Sequence, residues 1–153
     1  MSGIIGTNLL AQVGFIVRDI EATKKKFAEF FGVAVPGNVD SGDYEITKTE
    51  YKGNPAPYAG CVMAFFDVGE GIRIELIQPN GEPSTWREFL DEHGEGVHHL
   101  AFRVKGMQKS IEVCKDFGMT LDQRGEYNTG KGRYAYMNAS DSLKVILELL
   151  END

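Results

Sequence analysis

Apolar and polar positions alternate over residues 9–17 and again over 97–104, and each alternating stretch runs into a segment with helical spacing. In the first, Val13, Phe15 and Val17 fall on one face and Gln12, Gly14 and Ile16 on the other. In the second, Leu100, Phe102 and Val104 oppose Val97, His99, Ala101 and Arg103. The helical segments, 19–31 and 107–117, carry Ile20, Phe27, Phe30 and Phe31 in one case and Met107, Ile111 and Cys114 in the other. Both end in Phe-Gly, at Phe31-Gly32 and Phe117-Gly118. Each half then closes on an apolar strand with a carboxylate at its centre, Glu75 within 72–77 and Glu148 within 145–150. The pattern predicts a duplicated βαβββ module.

Residues 33–58 are broken by Pro36, Gly37, Gly42, Gly53, Pro55 and Pro57 around one predicted strand, 44–51. Strands at 60–68 and 72–77 are joined by the turn Gly69-Glu70-Gly71. Ser84 is placed to cap a linker helix through His93 whose apolar face is Trp86, Phe89 and Leu90. Further strands are expected near 120–124 and 133–138. The Gly-rich stretch 127–133 has neither the strand before it nor the helix after it that a phosphate-binding loop requires, so it reads as a rim loop. One domain over 1–153 is expected: module one at about 8–79, the linker helix at about 84–93, module two at about 96–151. Its expected class is α+β, with two modules building a curved sheet that has a helix layer on one face.

A chain of 153 residues can bury one substantial core. No apolar run approaches the ~18 residues needed to span a bilayer, and the first ten residues lack the basic head and apolar stretch of a signal peptide. No membrane partner and a cytoplasmic location are therefore expected. Cys61 and Cys114 read as reduced core residues. The formal charge of -7 is spread along the chain without a basic face, which argues against a nucleic-acid partner.

By alternation Gln12, Glu75, His99 and Glu148 share one sheet face, whereas His98 lies with the apolar set and is expected to face the helix layer as a satisfied core or boundary residue. Two readings of the four polar residues stand side by side: an exposed face that solvates each independently, or a four-ligand metal site. Met63, Phe65, Tyr134 and Tyr136 are candidates either to line an apolar substrate pocket or to fill the sheet core. Arg103 and Arg133 are candidate clamps for a substrate carboxylate, or solvated arginines at strand ends.

Four stretches carry a resemblance: Ile74-Glu75-Leu76-Ile77-Gln78-Pro79, the Trp86 helix, Gly96-Val97-His98-His99-Leu100-Ala101-Phe102-Arg103-Val104, and Ile146-Leu147-Glu148-Leu149. In order and spacing the chain resembles the vicinal oxygen chelate superfamily, closest to its methylmalonyl-CoA epimerase-like and glyoxalase I-like branch. The resemblance implies paired modules forming a cup, with Gln12, Glu75, His99 and Glu148 as ligands of one divalent ion. The donor set suits Zn, Ni, Co or Mn. It implies an isomerase, epimerase or lyase that moves a proton next to a carbonyl of a small molecule through an enediolate, with Glu148 as base and Glu75 as second carboxylate. A homodimer is implied as well. Met63 stands where the epimerases place a second glutamate base, and Gly14, Phe15 and Ile16 stand where many glyoxalases carry a glutathione-binding arginine. The alternative is a small-molecule binding or resistance protein of the same fold without catalysis.

Overall fold

The computed structural model describes residues 3–153. One ten-stranded sheet organises them. Module one contributes β1 (Leu10–Ile16), α1 (Ile20–Phe31), β2 (Val39–Asp40), α2 (Tyr44–Thr47), β3 (Glu50–Tyr51), β4 (Asn54–Pro55), β5 (Cys61–Gly69) and β6 (Ile72–Pro79). After α3 (Thr85–His93), module two contributes β7 (Gly96–Arg103), α4 (Met107–Asp116), β8 (Thr120–Glu126), β9 (Gly132–Ala139) and β10 (Val145–Asn152). The strands run β2-β5-β6-β1-β7-β10-β9-β8-β3-β4 across the sheet. From the seam outward module one runs β1-β6-β5-β2 and module two β7-β10-β9-β8, with β3 and β4 beyond β8, and the two modules meet along the antiparallel β1–β7 seam.

Both module helices lie on the outer face. α1 buries Ile20 and Ala28 against Val17, Ala64, Phe66 and Leu76, and α4 buries Met107, Ile111 and Cys114 against Ala135, Met137, Leu147 and Leu149. Their ends follow local chemistry: Asp19 caps α1 through Ala22 N, and Gly32 takes the left-handed conformation that lets its N–H reach Ala28 O and Glu29 O. The linker helix α3 has a different place. Ser84 caps it through Arg87 N, and Trp86 and Leu90 pack with Ile16, Cys61, Ile77 and Tyr136, so it closes one end of the cup. Cys61 and Cys114 are buried free thiols. Among the described residues no helix is long and apolar enough to cross a membrane.

The strand predicted over 44–51 is not formed. Tyr44–Thr47 is a helical turn, Lys48 takes a left-handed conformation, and only Glu50–Tyr51 is extended. Asp43 precedes the turn in extended conformation, and its carbonyl accepts from Ile46 N and Thr47 N. More unexpected is the partner: β3 pairs with β8 of module two rather than with its own module. Residues 41–49 therefore form a strap from β2, at one edge of the sheet, to β3, near the other. Asn128 Nδ2 holds the strap by donating to Asp40 O at 2.9 Å, and Lys52 N donates to Asp122 O at 2.8 Å.

Gly42 sits where the strap meets module two, at φ +98°, and a Cβ there would lie 2.7 Å from Asn128 Cβ. Gly42→Ala is expected to cost about 1–3 kcal/mol through overpacking and backbone strain. Urea denaturation should show a lower midpoint, and hydrogen exchange at the Lys52 amide should accelerate before that of the α4 amides.

Candidate metal centre

The two strands of the seam and their parallel neighbours build the site. Gly14 on β1 is paired with Glu75 on β6 and with His99 on β7, while Glu148 on β10 lies opposite Ala101 and Tyr136. Gln12, two residues from Gly14, lies opposite Arg73 and Ala101. The alternation that gives Gln12, Glu75, His99 and Glu148 a common face thus also puts them on adjacent strands. All four are buried, His99 completely and Glu75 and Glu148 to 5% exposure. Gly14 makes room for the imidazole: a Cβ there would lie 2.0 Å from His99 Cε1. Space, rather than backbone conformation, requires glycine at this position.

One donor atom each from Glu75, His99 and Glu148 falls within 4.8 Å of the other two. His99 Nε2 lies 3.0 Å from Glu148 Oε2 and 3.7 Å from Glu75 Oε1. These are ion-pair distances, but the angles do not make a hydrogen bond, and His99 Nε2 is left without a hydrogen-bond partner. A buried orphan nitrogen facing two carboxylates fits a cation between them. The Gln12 amide has two settings. With its nitrogen toward the cluster it donates to Glu148 Oε2 at 3.3 Å and accepts from Arg73 Nη2 at 3.0 Å; turned over, it offers its oxygen to the cluster as a fourth donor.

Burial, reinforced by the Glu148 carboxylate, pushes Glu75 up to about 8, with His99 and Arg73 opposing. For His99, burial alone would lower the pKa, but the Glu148 and Glu75 carboxylates outweigh it and the imidazole is raised. Buried Tyr136, also beside these carboxylates, is pushed well above the usual phenol range. The electrostatic demand of the cluster is for positive charge, which a divalent ion would supply.

His98 is the buried, satisfied residue expected, in contact with Thr85 and Phe89 of α3, but it departs from the expected alternation. In the β1–β7 ladder His99 is opposite Gly14 and Val97 is opposite Phe15, so an extra residue, His98, is inserted on β7. Such a bulge re-aims a side chain. The two imidazoles meet, with Nδ1 to Nδ1 at 2.9 Å, and both stack edge-on against Tyr136. His98 is also satisfied on its other side, by Thr85 Oγ1 at 3.1 Å from Nε2. Burial and the adjacent His99 hold its pKa well below the ordinary histidine value.

A cavity of about 410 Å³ opens over the cluster, lined among others by Gln12, Glu75 and Glu148. Met63, Phe65, Tyr134 and Tyr136 all line it, as does Arg103, which forms no ion pair among the described residues. Trp86 joins them from α3, its indole N–H donating to Tyr136 OH at 3.0 Å. Arg133 is elsewhere. It is not part of the lining, and its guanidinium is committed to Glu126, Glu151 and Asp153, which leaves it poorly suited to clamp a substrate anion. Arg73, not among the candidate residues, lines the cavity as well, with its guanidinium 4.2 Å from the centre of the Phe65 ring. Its spacing of two from Glu75 was the available signal.

Gly14→Ala should displace the His99 ring, abolishing divalent-ion binding in a calorimetric titration and lowering stability by about 1–3 kcal/mol. The raised Glu75 and His99 also set a pH dependence. Their stabilising contribution is fully present below their unfolded values, 4.5 and 6.5, and is lost as pH rises through the higher folded values, about 8 for Glu75. The metal-free protein should therefore lose stability in urea titrations as pH rises toward 8, and a Glu75→Gln variant should show a shallower loss.

Residues 11–137 match the family described as the glyoxalase/bleomycin resistance protein/dioxygenase superfamily. The uncharacterized protein YqjC of Bacillus subtilis is 26% identical over 145 residues, covering 94% of this chain and 92% of that protein. The ethylmalonyl-CoA/methylmalonyl-CoA epimerase of Cereibacter sphaeroides is 25% identical over 122 residues, 79% of each chain. Among solved structures, methylmalonyl-CoA epimerase from Mycobacterium tuberculosis superposes with a TM-score of 0.70 at 20% identity, covering 100% of this chain and 92% of that one. With paired modules, a curved sheet and a match across most of its length, the chain belongs to the glyoxalase/bleomycin resistance protein/dioxygenase superfamily.

Proposed function

We propose that the protein is a divalent-metal-dependent isomerase, epimerase or lyase that transfers a proton at the carbon next to a carbonyl of a small molecule. The observation that carries this reading is the convergence of Glu75, His99 and Glu148 donors within 4.8 Å, around a buried nitrogen with no hydrogen-bond partner, beneath the cavity. The relationship to an epimerase across 79% of both chains supports the same class of chemistry.

Glu75, His99, Glu148 and Gln12, through its amide oxygen, would hold the ion, and Zn, Ni, Co or Mn suits this mixture of donors. When bound, the ion supplies the positive field that stabilises negative charge developing on the substrate oxygen. Glu148 takes the proton from carbon and Glu75, across the cluster, returns one. For this exchange each carboxylate must come within hydrogen-bond reach of the proton it moves. Met63 and Phe65 line the same cavity but carry no group able to move a proton. Glu75 and Glu148 are the buried carboxylates of that lining, and the base roles fall to them. Met63, Phe65, Tyr134 and Tyr136 exclude water from the reacting carbon, and Arg73 and Arg103 are the cavity-lining cations for an anionic substrate group.

Elemental analysis and titration with divalent ions test the site. A panel of α-hydroxy-ketones and acyl thioesters in D₂O tests the reaction, through deuterium appearing next to the carbonyl. Glu148→Gln should lower that exchange by about 10²–10⁴-fold with substrate binding retained. Exchange unchanged in Glu148→Gln defeats the assignment of the base. A protein that binds cavity ligands equally well with and without an ion, and exchanges no deuterium, is instead a binding protein.

A further inference from the structure

We propose that His98 is a positioning residue which, together with Thr85, fixes the tautomer of His99 so that Nε2 is the nitrogen presented to the ion. The proposal rests on the metal reading above and adds a role that neither alternation nor the ligand set contains. The sheet at this point contains a bulge whose effect is to bring two neighbouring imidazoles into contact, Nδ1 to Nδ1 at 2.9 Å. A nitrogen–nitrogen contact of that length needs one proton between the two rings, and its placement constrains everything attached.

Only two proton arrangements are self-consistent for the neutral rings. In the first, His99 Nδ1–H donates to His98 Nδ1, and His98 Nε2–H donates to Thr85 Oγ1, 3.1 Å away. His99 Nε2 then carries a lone pair toward Glu75 and Glu148. In the second, the Thr85 hydroxyl donates to His98 Nε2, His98 Nδ1–H donates to His99 Nδ1, and His99 carries its proton on Nε2. That proton would point among the carboxylates at an angle that makes no hydrogen bond, since Nε2 has no partner. The first arrangement alone leaves a nitrogen able to bind an ion.

Thr85 is held firmly enough to serve as the end of the chain. It is the first residue of α3, directly after the cap Ser84, and its N–H donates to Gln123 Oε1 at 2.9 Å. The group accepting from His99 is a neutral ring rather than a carboxylate, the more usual partner of a metal-bound histidine. His98 therefore orients His99 without adding a third negative charge to a cluster that already holds two carboxylates.

The chain contains three histidines, so a long-range ¹H–¹⁵N spectrum of histidine-labelled, zinc-loaded protein resolves each ring, and His93→Gln identifies the third. Zinc uptake by the unmodified protein is measured first. No uptake overturns the metal reading, whereas uptake with His98 protonated on Nδ1 overturns the positioning role alone. The expected spectrum has His99 protonated on Nδ1 with zinc at Nε2, and His98 protonated on Nε2. His98→Leu, which removes the acceptor, should weaken zinc binding by about 10–100-fold, and His98→Asn, whose amide oxygen takes the place of Nδ1, should recover most of it. Unchanged zinc affinity in His98→Leu, or no recovery in His98→Asn when both are folded, overturns the proposal. If His98→Leu does not fold, the spectrum of the unmodified protein decides.

Discussion

Two carboxylates and an imidazole, all but removed from water on the inner face of a sheet, impose the constraint around which this molecule is arranged. Two carboxylates brought this close disfavour each other's charge, and a cation between them would relieve that repulsion. The surroundings serve that need. Gly14 yields its side-chain space to His99, Gln12 can turn either end of its amide toward Glu148, and Arg73 is drawn to the same side of the sheet. The apolar layers under α1 and α4 hold the four strands rigidly enough for these charges to stay together.

Duplication makes the arrangement economical. Each module places its first strand beside its last, and the seam joins the two first strands, so β6, β1, β7 and β10 are consecutive in the sheet. One polar residue from each then converges without any loop having to carry a ligand. Rigid strands hold side-chain positions more closely than loops do, which suits a site in which small displacements separate an ion-binding geometry from a pair of repelling carboxylates.

Much of this was legible in the chain because strands with one buried face advertise it with a period of two. Gln12, Glu75, His99 and Glu148 could be assigned to one face from that period alone, and the helices α1, α3 and α4 followed from apolar spacing and caps. The period fails where the backbone inserts a residue: the bulge at His98 is invisible in a sequence that still reads as clean alternation, and it turns a residue assigned to the helix layer toward its neighbour. Tyr44 to Tyr51 misled for another reason. Tyr-Glu-Ile-Thr serves a helical turn as readily as a strand, and its surroundings here come from module two. Arg103 and Arg133 were indistinguishable by charge and position. Three nearby carboxylates occupy the latter, and that depends on register and chain path rather than on residue type.

The strap over 41–49 makes the two modules something other than independent halves. A segment encoded within module one completes the edge of module two, so a cut at the linker helix would separate β8 from its edge partner β3. The ends of the sheet, β2 and β4, are only two residues long and leave little unpaired backbone for another sheet to extend. The symmetry of the two modules holds in the ligand strands and is broken at the rim by that one crossing.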